Sequence, residues 1–435
     1  MKKKGLTLLL SCGMTLSLIP ALVFAEEPNE SQKYNIWVGG IQVTADNAHD
    51  VLGDADTAQT VIYNPEMESL ILKGAKIDTG YEYTADCIAG IYADGDLNII
   101  LEGGTDEAFS STINAPDSAE LSCGIRVTGR LTISGDGMLT SSSGTVTASD
   151  TIAEDDFVIG AGIYASQGLE ILGYIQEDEN EAGETPIVTA IGGPVTGNQH
   201  CSAYSDGVYT IGSLSVSSGG VLTASGSAAE GYHAYSVGVE VHGKTQYENI
   251  TVEEGILTST SGPAAGVASA QSSSIYANNC GLYVSGDAST VNLYNNPATV
   301  SSADGQVYQI GLFAAGGEMR MHGGHVAIDS MKADESSDQL IVFGIYATKT
   351  EEGEGGGISL FDNSDTGAHP SLAIKTSDGF AIYTEGSIDL DDCIDIATPE
   401  GGSILSTEED PFFLVVDAEQ NPASEFCTGL AAEHE

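Results

Sequence analysis

A chain of 435 residues with 63 acidic against 13 basic side chains carries a formal net charge of −50, which excludes nucleic acid and anionic lipid as partners because both need a positive surface. Its hydrophobic fraction of 41% is that of a folded protein, so the charge does not mean disorder. Only three arginines occur, Arg126, Arg130 and Arg320, too few to form a cluster that grips phosphates bidentately; a solvated acidic surface and a calcium-binding one both remain open.

Lys2, Lys3 and Lys4, an apolar run to Phe24, and Ala25 with Val23 two residues before it match a secretory signal peptide over residues 1–25. The mature chain is therefore expected to begin near Glu26 and to be secreted, with ten basic residues left. Leu9-Leu10-Ser11-Cys12 offers a competing lipid-attachment reading, but the apolar run before Cys12 is very short. No other segment has the apolar length to span a bilayer. Six cysteines remain after processing, too few in so long a chain for a disulfide framework. Most read as buried thiols.

Residues 26–80 are expected to form an N-terminal β cap. Tyr34-Asn35-Ile36-Trp37-Val38, a Gly39-Gly40 turn and Ile41-Gln42-Val43-Thr44 read as paired strands, as do Val61-Ile62-Tyr63 and Leu70-Ile71-Leu72 around Asn64-Pro65. A solenoid needs such an atypical first unit to cover the end of its core.

Over residues 81–400 one phrase recurs: small residue, aliphatic, usually aromatic, small. Its copies start at Gly90, Gly124, Gly162, Gly207, Gly238, Gly281, Gly311, Gly344 and Ala381, at separations of roughly 30 to 45 residues, the range of repeat architectures. Each copy is followed by a strand of alternating aliphatics, such as Leu97-Asn98-Ile99, Leu214-Ser215-Val216 or Val291-Asn292-Leu293. A third strand then runs into Thr and Ser, as in Leu139-Thr140-Ser141, Leu257-Thr258-Ser259 or Val300-Ser301-Ser302. Period-two alternation bounded by Gly, Ser, Asn and Asp is strand and turn chemistry, and no helical period is sustained. Three short strands per repeat predict an all-β fold, a parallel β-helix of about nine coils. A propeller blade would need a fourth strand, and an antiparallel sandwich would need the spacing to be coincidence. Acidic inserts such as Glu177–Glu181 and Glu351–Glu354 fall on corner loops. Residues 401–435 are left as a C-terminal cap or tail.

The third position of the phrase is Tyr92, Tyr164, Tyr209, Tyr283, Phe313, Tyr346 and Tyr383, with Arg126 and Glu240 as breaks. Because the preceding aliphatic faces inward, alternation turns these rings outward. A ladder of rings along a rod suits ligand binding by a polysaccharide chain, through stacking and phenol hydroxyls. It equally suits ordinary cross-strand packing.

Carboxylates concentrate at Asp389, Asp391, Asp392 and Asp395. Ile388, Leu390, Ile394 and Ile396 share one parity, so Asp389, Asp391 and Asp395 are expected on the opposite face, with Asp362 and Asp365 in the preceding coil. Such a group attracts calcium, which takes six to eight oxygen ligands, although solvation alone also accounts for exposed acids. Enzyme signatures are absent: no G-x-S-x-G, H-E-x-x-H, C-x-x-C or phosphate loop occurs. Two carboxylates for glycoside hydrolysis can be found in any acidic chain and specify nothing.

The opening block Tyr34 to Thr44, followed by Gly90-Ile91-Tyr92-Ala93-Asp94-Gly95-Asp96-Leu97-Asn98-Ile99, resembles the secreted carbohydrate-binding-domain proteins of clostridia and related gut bacteria. That resemblance implies a right-handed parallel β-helix, binding of plant polysaccharides including acidic pectic or cellulosic chains, and calcium on the solenoid. The expected function is thus a non-catalytic extracellular polysaccharide-binding protein. A β-helix polysaccharide lyase or hydrolase and a surface adhesin with a protein ligand are the alternatives.

Overall fold

The computed structural model describes residues 32–53, 60–153, 156–174, 185–245, 248–330, 340–350, 353, 355–362, 369–377, 379–406 and 412–430. The signal-peptide reading, the acidic insert 177–181, Glu351, Glu352, Glu354 and Asp365 lie outside them. Among the described residues no helix is long and apolar enough to cross a membrane.

The chain winds as a β-solenoid of three sheets. Sheet A holds the recurring phrase in nine parallel-stacked strands: Cys87–Ala93, Leu121–Val127, Phe157–Ala165, Ser202–Ile211, Ala229–His242, Ala264–Asn278, Gln306–Ala315, Leu340–Thr348 and Phe380–Thr384. The winding amounts to about 8 turns, close to the nine coils expected. Sheets B and C contain eleven strands each. Like residues stack on like. Ile91, Ile125, Ile163, Val208, Val239, Ile275, Leu312, Ile345 and Ile382 stand in register along sheet A, none more than 1% exposed. Each such aliphatic contributes about 1.5–3 kcal/mol through burial.

The small residue that opens the phrase has a spatial cause. A Cβ on Gly90 would lie 2.5 Å from Ile113 Cγ2 of sheet C and 2.9 Å from the Gly124 carbonyl oxygen. Sheet A passes close to sheet C there, so the position takes a glycine in most coils and otherwise a residue no larger than Ser274 or Ala381. The glycine and the aliphatic after it both face the core, so the strict alternation assumed from sequence breaks at this point. The residue before the glycine, as at Ala89, Cys123 and Ala161, packs outward among Tyr83, Tyr92 and Tyr164.

One repeat departs from its expected frame. Gly281-Leu282-Tyr283-Val284 belongs to sheet B, where Leu282–Ser285 pairs with Ile250–Glu253 and Met319–His322. The sixth sheet-A copy is instead Ser274-Ile275-Tyr276-Ala277, in register with Val239 and Leu312. Val291-Asn292-Leu293 moves accordingly to sheet C, and Ala298–Val300 forms a short extra strand beside Ala264–Asn278. Serine in place of glycine hid the true copy. Its hydroxyl donates to Asn295 Oδ1 in the interior, and Asn295 Nδ2 donates to Ser330 Oγ at 3.1 Å.

A fourth short ladder, unforeseen from the sequence, runs beside the middle coils through Val146–Thr147, Val195–Thr196 and the first residues of Ala229–His242 and Ala264–Asn278. It buries two small clusters of its own, one around Val146, Val158, Val195 and Cys201, the other around Ala229, Ala264 and Val307.

Antiparallel strands close sheet A at both ends, sheet B at the N-terminal end and sheet C at the C-terminal end. Lys33–Val38 pairs with Ile41–Thr44 and with Cys87–Ala93. Val61–Asn64 and Ser69–Leu72 form a hairpin whose second strand starts sheet B. At the other end Phe413–Val416 lies antiparallel to Phe380–Thr384, and Glu425–Leu430 to both Ser371–Thr376 and Ile394–Thr398. Phe426, 1% exposed, covers the end of the core. Of the six cysteines, Cys123, Cys201, Cys280 and Cys393 are buried and all six are free thiols.

Two substitutions separate spacing from hydrogen bonding. Gly207→Val would push a side chain toward the Gly238 carbonyl oxygen, 2.6 Å from the Cβ position, and Ala224 C at 2.9 Å. It is expected to cost about 3 kcal/mol or more by overpacking. Ser274→Gly restores the apparent consensus yet removes the donor to Asn295, and is expected to lower stability by about 1–2 kcal/mol in urea unfolding. A rise in stability would show that the glycine alone sets this corner.

Candidate functional site

The outer face of sheet A carries the rings, and the parity break at each glycine sets them in two columns with a floor between. Register places Tyr92, Arg126, Tyr164, Tyr209, Glu240, Tyr276, Phe313, Tyr346 and Tyr383 in one column. Six of the seven expected ladder residues are there. Tyr283 is not: it projects from sheet B, where its ring meets His322 at 5.7 Å and His322 meets Phe361 at 5.2 Å. Tyr276 takes the place assigned to it.

The two expected breaks are filled. Trp37 of the cap meets Tyr92 at 5.6 Å, and Tyr92 stacks on Tyr83 at 4.8 Å. The Arg126 guanidinium lies 5.7 Å from the Tyr83 ring centre and 3.7 Å from that of Tyr164, a cation–π rung in an aromatic series. Tyr164 stacks on Tyr209 at 4.5 Å. At the Glu240 coil the imidazole of His242, bonded through Nε2 to Glu240 Oε1 at 2.6 Å, spans the gap, 5.3 Å from Tyr209 and 6.0 Å from Tyr276. Tyr276, Phe313, Tyr346, Tyr383 and Phe412 follow at 4.9, 5.3, 5.6 and 4.4 Å. The series runs from one cap to the other, and its members on sheet A are half-buried. Stacked pairs turn their faces to one another, so toward solvent they offer edges and phenol hydroxyls more than open planes.

A second column was missed. Leu121, Ile159, Tyr204, Tyr235, Gln271 and Tyr308 stand in register three residues before the small residue of each phrase. Tyr204 and Tyr235 stack at 4.6 Å and 8°. The signal was present as a tyrosine three residues before Gly207, Gly238 and Gly311.

Between the columns lies the floor: Ala89, Cys123, Ala161, Asp206, Val237 and Ser273. Asp206 is the acid among them. It is 0% exposed, and neither carboxylate oxygen has a hydrogen-bond partner. Burial, then the nearby Glu240, pushes its carboxyl well above the usual carboxylate range, which favours the protonated acid. Burial likewise raises the phenols of Tyr204, Tyr209 and Tyr276, the last to about 12, and the Cys123 thiol to about 12. The face therefore presents mostly un-ionised phenols, with the Arg126 guanidinium and the Glu240–His242 pair among them, in a chain that is otherwise strongly anionic.

The carboxylates expected to hold calcium are not brought to one face. Asp389 lies on the sheet-B strand Ile388–Leu390, bonded to Ser387 Oγ at 2.6 Å, whereas Asp395 lies on the sheet-C strand Ile394–Thr398 opposite Gly429. The chain turns a corner at Asp391 and Asp392, which cancels the parity that linked them. Asp392 is exposed. Asp391 accepts from the backbone N–H groups of Asp392 at 2.7 Å and Asp362 at 3.1 Å, so it fixes the corner to the coil before it. Calcium takes six to eight oxygens, and within the expected set Asp391 is joined to Asp362 and Asp392 by hydrogen bonds from their backbone N–H groups.

No family model, no curated protein and no solved structure matches this chain. What stands of the resemblance to the clostridial proteins is the β-solenoid arrangement.

The buried acid gives a pH-dependent test. The unfolded chain releases the Asp206 proton near its ordinary value of 3.8 while the folded protein retains it, so this group lowers stability progressively as pH rises from about 4 toward its folded pKa. Asp206→Val, the residue one coil on at Val237, is expected to stabilise by on the order of 2 kcal/mol at neutral pH. The gain should shrink below pH 4 to the part due to burying an unbonded neutral carboxyl. Thermal melts of both proteins across this range measure it; a gain independent of pH would assign the effect to packing.

Proposed function

We propose that the protein is an exported, non-catalytic polysaccharide-binding solenoid whose ligand lies along the outer face of sheet A. The observation that carries this reading is the series of half-buried rings that runs unbroken from Trp37 to Phe412. A continuous stripe rich in phenols on so acidic a molecule also suits a ligand rich in hydroxyl groups. An extended glycan advances by a length close to the spacing of about 4.8 Å between strands, so its hydroxyls meet a comparable group at each coil. Phenol edges suit hydrogen bonds to sugar hydroxyls, while ring rims accept apolar C–H faces.

Acidic glycans of the pectic kind would be repelled by the rest of the surface unless divalent cations screened it. Calcium enters the proposal in that role, bound diffusely by exposed carboxylates such as Asp389, Asp392 and Asp395. The exported location rests on residues 1–25 and the family resemblance.

Affinity electrophoresis in gels containing pectin or a soluble cellulose derivative tests the reading. The mature protein is expected to be retarded, the Tyr164→Ala/Tyr209→Ala double variant to lose at least about ten-fold in affinity, near 1.4 kcal/mol, and chelator to weaken binding to the acidic glycan alone. Absence of retardation on any polysaccharide would sink the proposal. Release of products from polygalacturonate would show that the face is catalytic.

A further inference from the structure

At the corner between sheets B and C, on the last two coils, Asp362, His369 and Cys393 converge. Asp362 follows the strand Ile358–Phe361, His369 precedes Ser371–Thr376, and Cys393 sits between Ile388–Leu390 and Ile394–Thr398. Each offers one ligand atom, and the three atoms lie within 4.8 Å of one another. His369 Nδ1 is 3.2 Å from Asp362 Oδ1 and 3.8 Å from Cys393 Sγ.

We propose that these three residues form a site for a borderline transition-metal ion such as zinc. Metal–ligand bonds of the usual lengths at tetrahedral angles put a nitrogen about 3.4 Å from an oxygen and about 3.6 Å from a sulfur, close to the separations here. Asp362 Oδ1 is shielded from solvent yet makes no hydrogen bond, even with the imidazole at 3.2 Å. The two groups are therefore adjacent without the alignment of an ordinary ion pair. One oxygen, one nitrogen and one sulfur match zinc or cobalt, and the sulfur disfavours calcium or magnesium. Cys393 is only 6% exposed, while the His369 side chain is 37% exposed and leaves a path for entry. Asp391 acts as a positioning residue: by accepting from the Asp362 N–H at 3.1 Å it holds that ligand's backbone toward the other two. Three protein ligands leave a fourth vertex open to solvent. This site is independent of the ring series on sheet A and of the glycan proposal.

Cobalt(II) titration of the full mature chain tests it by absorption. One equivalent is expected to produce the visible bands of tetrahedral cobalt and a near-ultraviolet thiolate-to-metal band, both removed by zinc and unaffected by millimolar calcium. Cys393→Ser should abolish the thiolate band. His369→Gln, at a partly exposed position that spares the core, should weaken cobalt at least about ten-fold, and Asp391→Asn about ten-fold by loosening Asp362. Cys427→Ser should leave the spectrum intact. Absence of the thiolate band in the wild-type chain, its retention in Cys393→Ser, undiminished affinity in His369→Gln, or displacement by calcium would each overturn the proposal.

Discussion

Everything in this molecule depends on one close approach, the passage of sheet A over sheet C at the opening residue of each phrase. A side chain there would meet backbone of the next coil and a core residue of the facing sheet at once, as the 2.5 Å and 2.9 Å separations at Gly90 illustrate. Removing the Cβ lets the walls of the coil close on Ile, Leu, Val and, at Met319 and Met321, methionine side chains. It also bends the strand, turning two successive residues inward. The outer face becomes a shallow trough with rings on either side, so a steric requirement of the core shapes the surface that a ligand would meet.

The architecture was largely readable from sequence because a solenoid repeats its core positions at every coil. Inward aliphatics such as Ile91, Leu97 and Ile99 bury wholly on one coil after another, and that repetition outweighs the ambiguity of any one strand. The reading failed where one coil solved the same problem differently. Ser274 is tolerated at the corner because Asn295 and Ser330 accommodate its hydroxyl, a partnership spread over more than fifty residues that no local pattern displays. With the true copy hidden, the phrase-like string at Gly281 was taken for it, and Tyr283 was assigned to the wrong sheet.

The ring series was legible in outline but not in its continuity. Arg126 and Glu240 look like interruptions because a column read from sequence admits one side chain per coil. In three dimensions the guanidinium lies over the Tyr164 ring, and His242 reaches back from two residues further along its strand. The carboxylate grouping failed for the opposite reason. Alternation holds only within a strand, and the corner at Asp391 and Asp392 separates residues that share a parity in the one-dimensional string. The mixed group of Asp362, His369 and Cys393 escaped notice because it joins two coils across thirty intervening positions of sequence.

The antiparallel closure of sheet A at both ends carries a consequence for the length of the stack. A stack of parallel strands has no intrinsic length, since its last coil is a template for another. Here the strands that follow Phe380–Thr384 and precede Cys87–Ala93 run the opposite way, so along sheet A neither end presents the direction and register that a further parallel coil would need. Along sheet A the stack is thereby finite, with its length written into the chain.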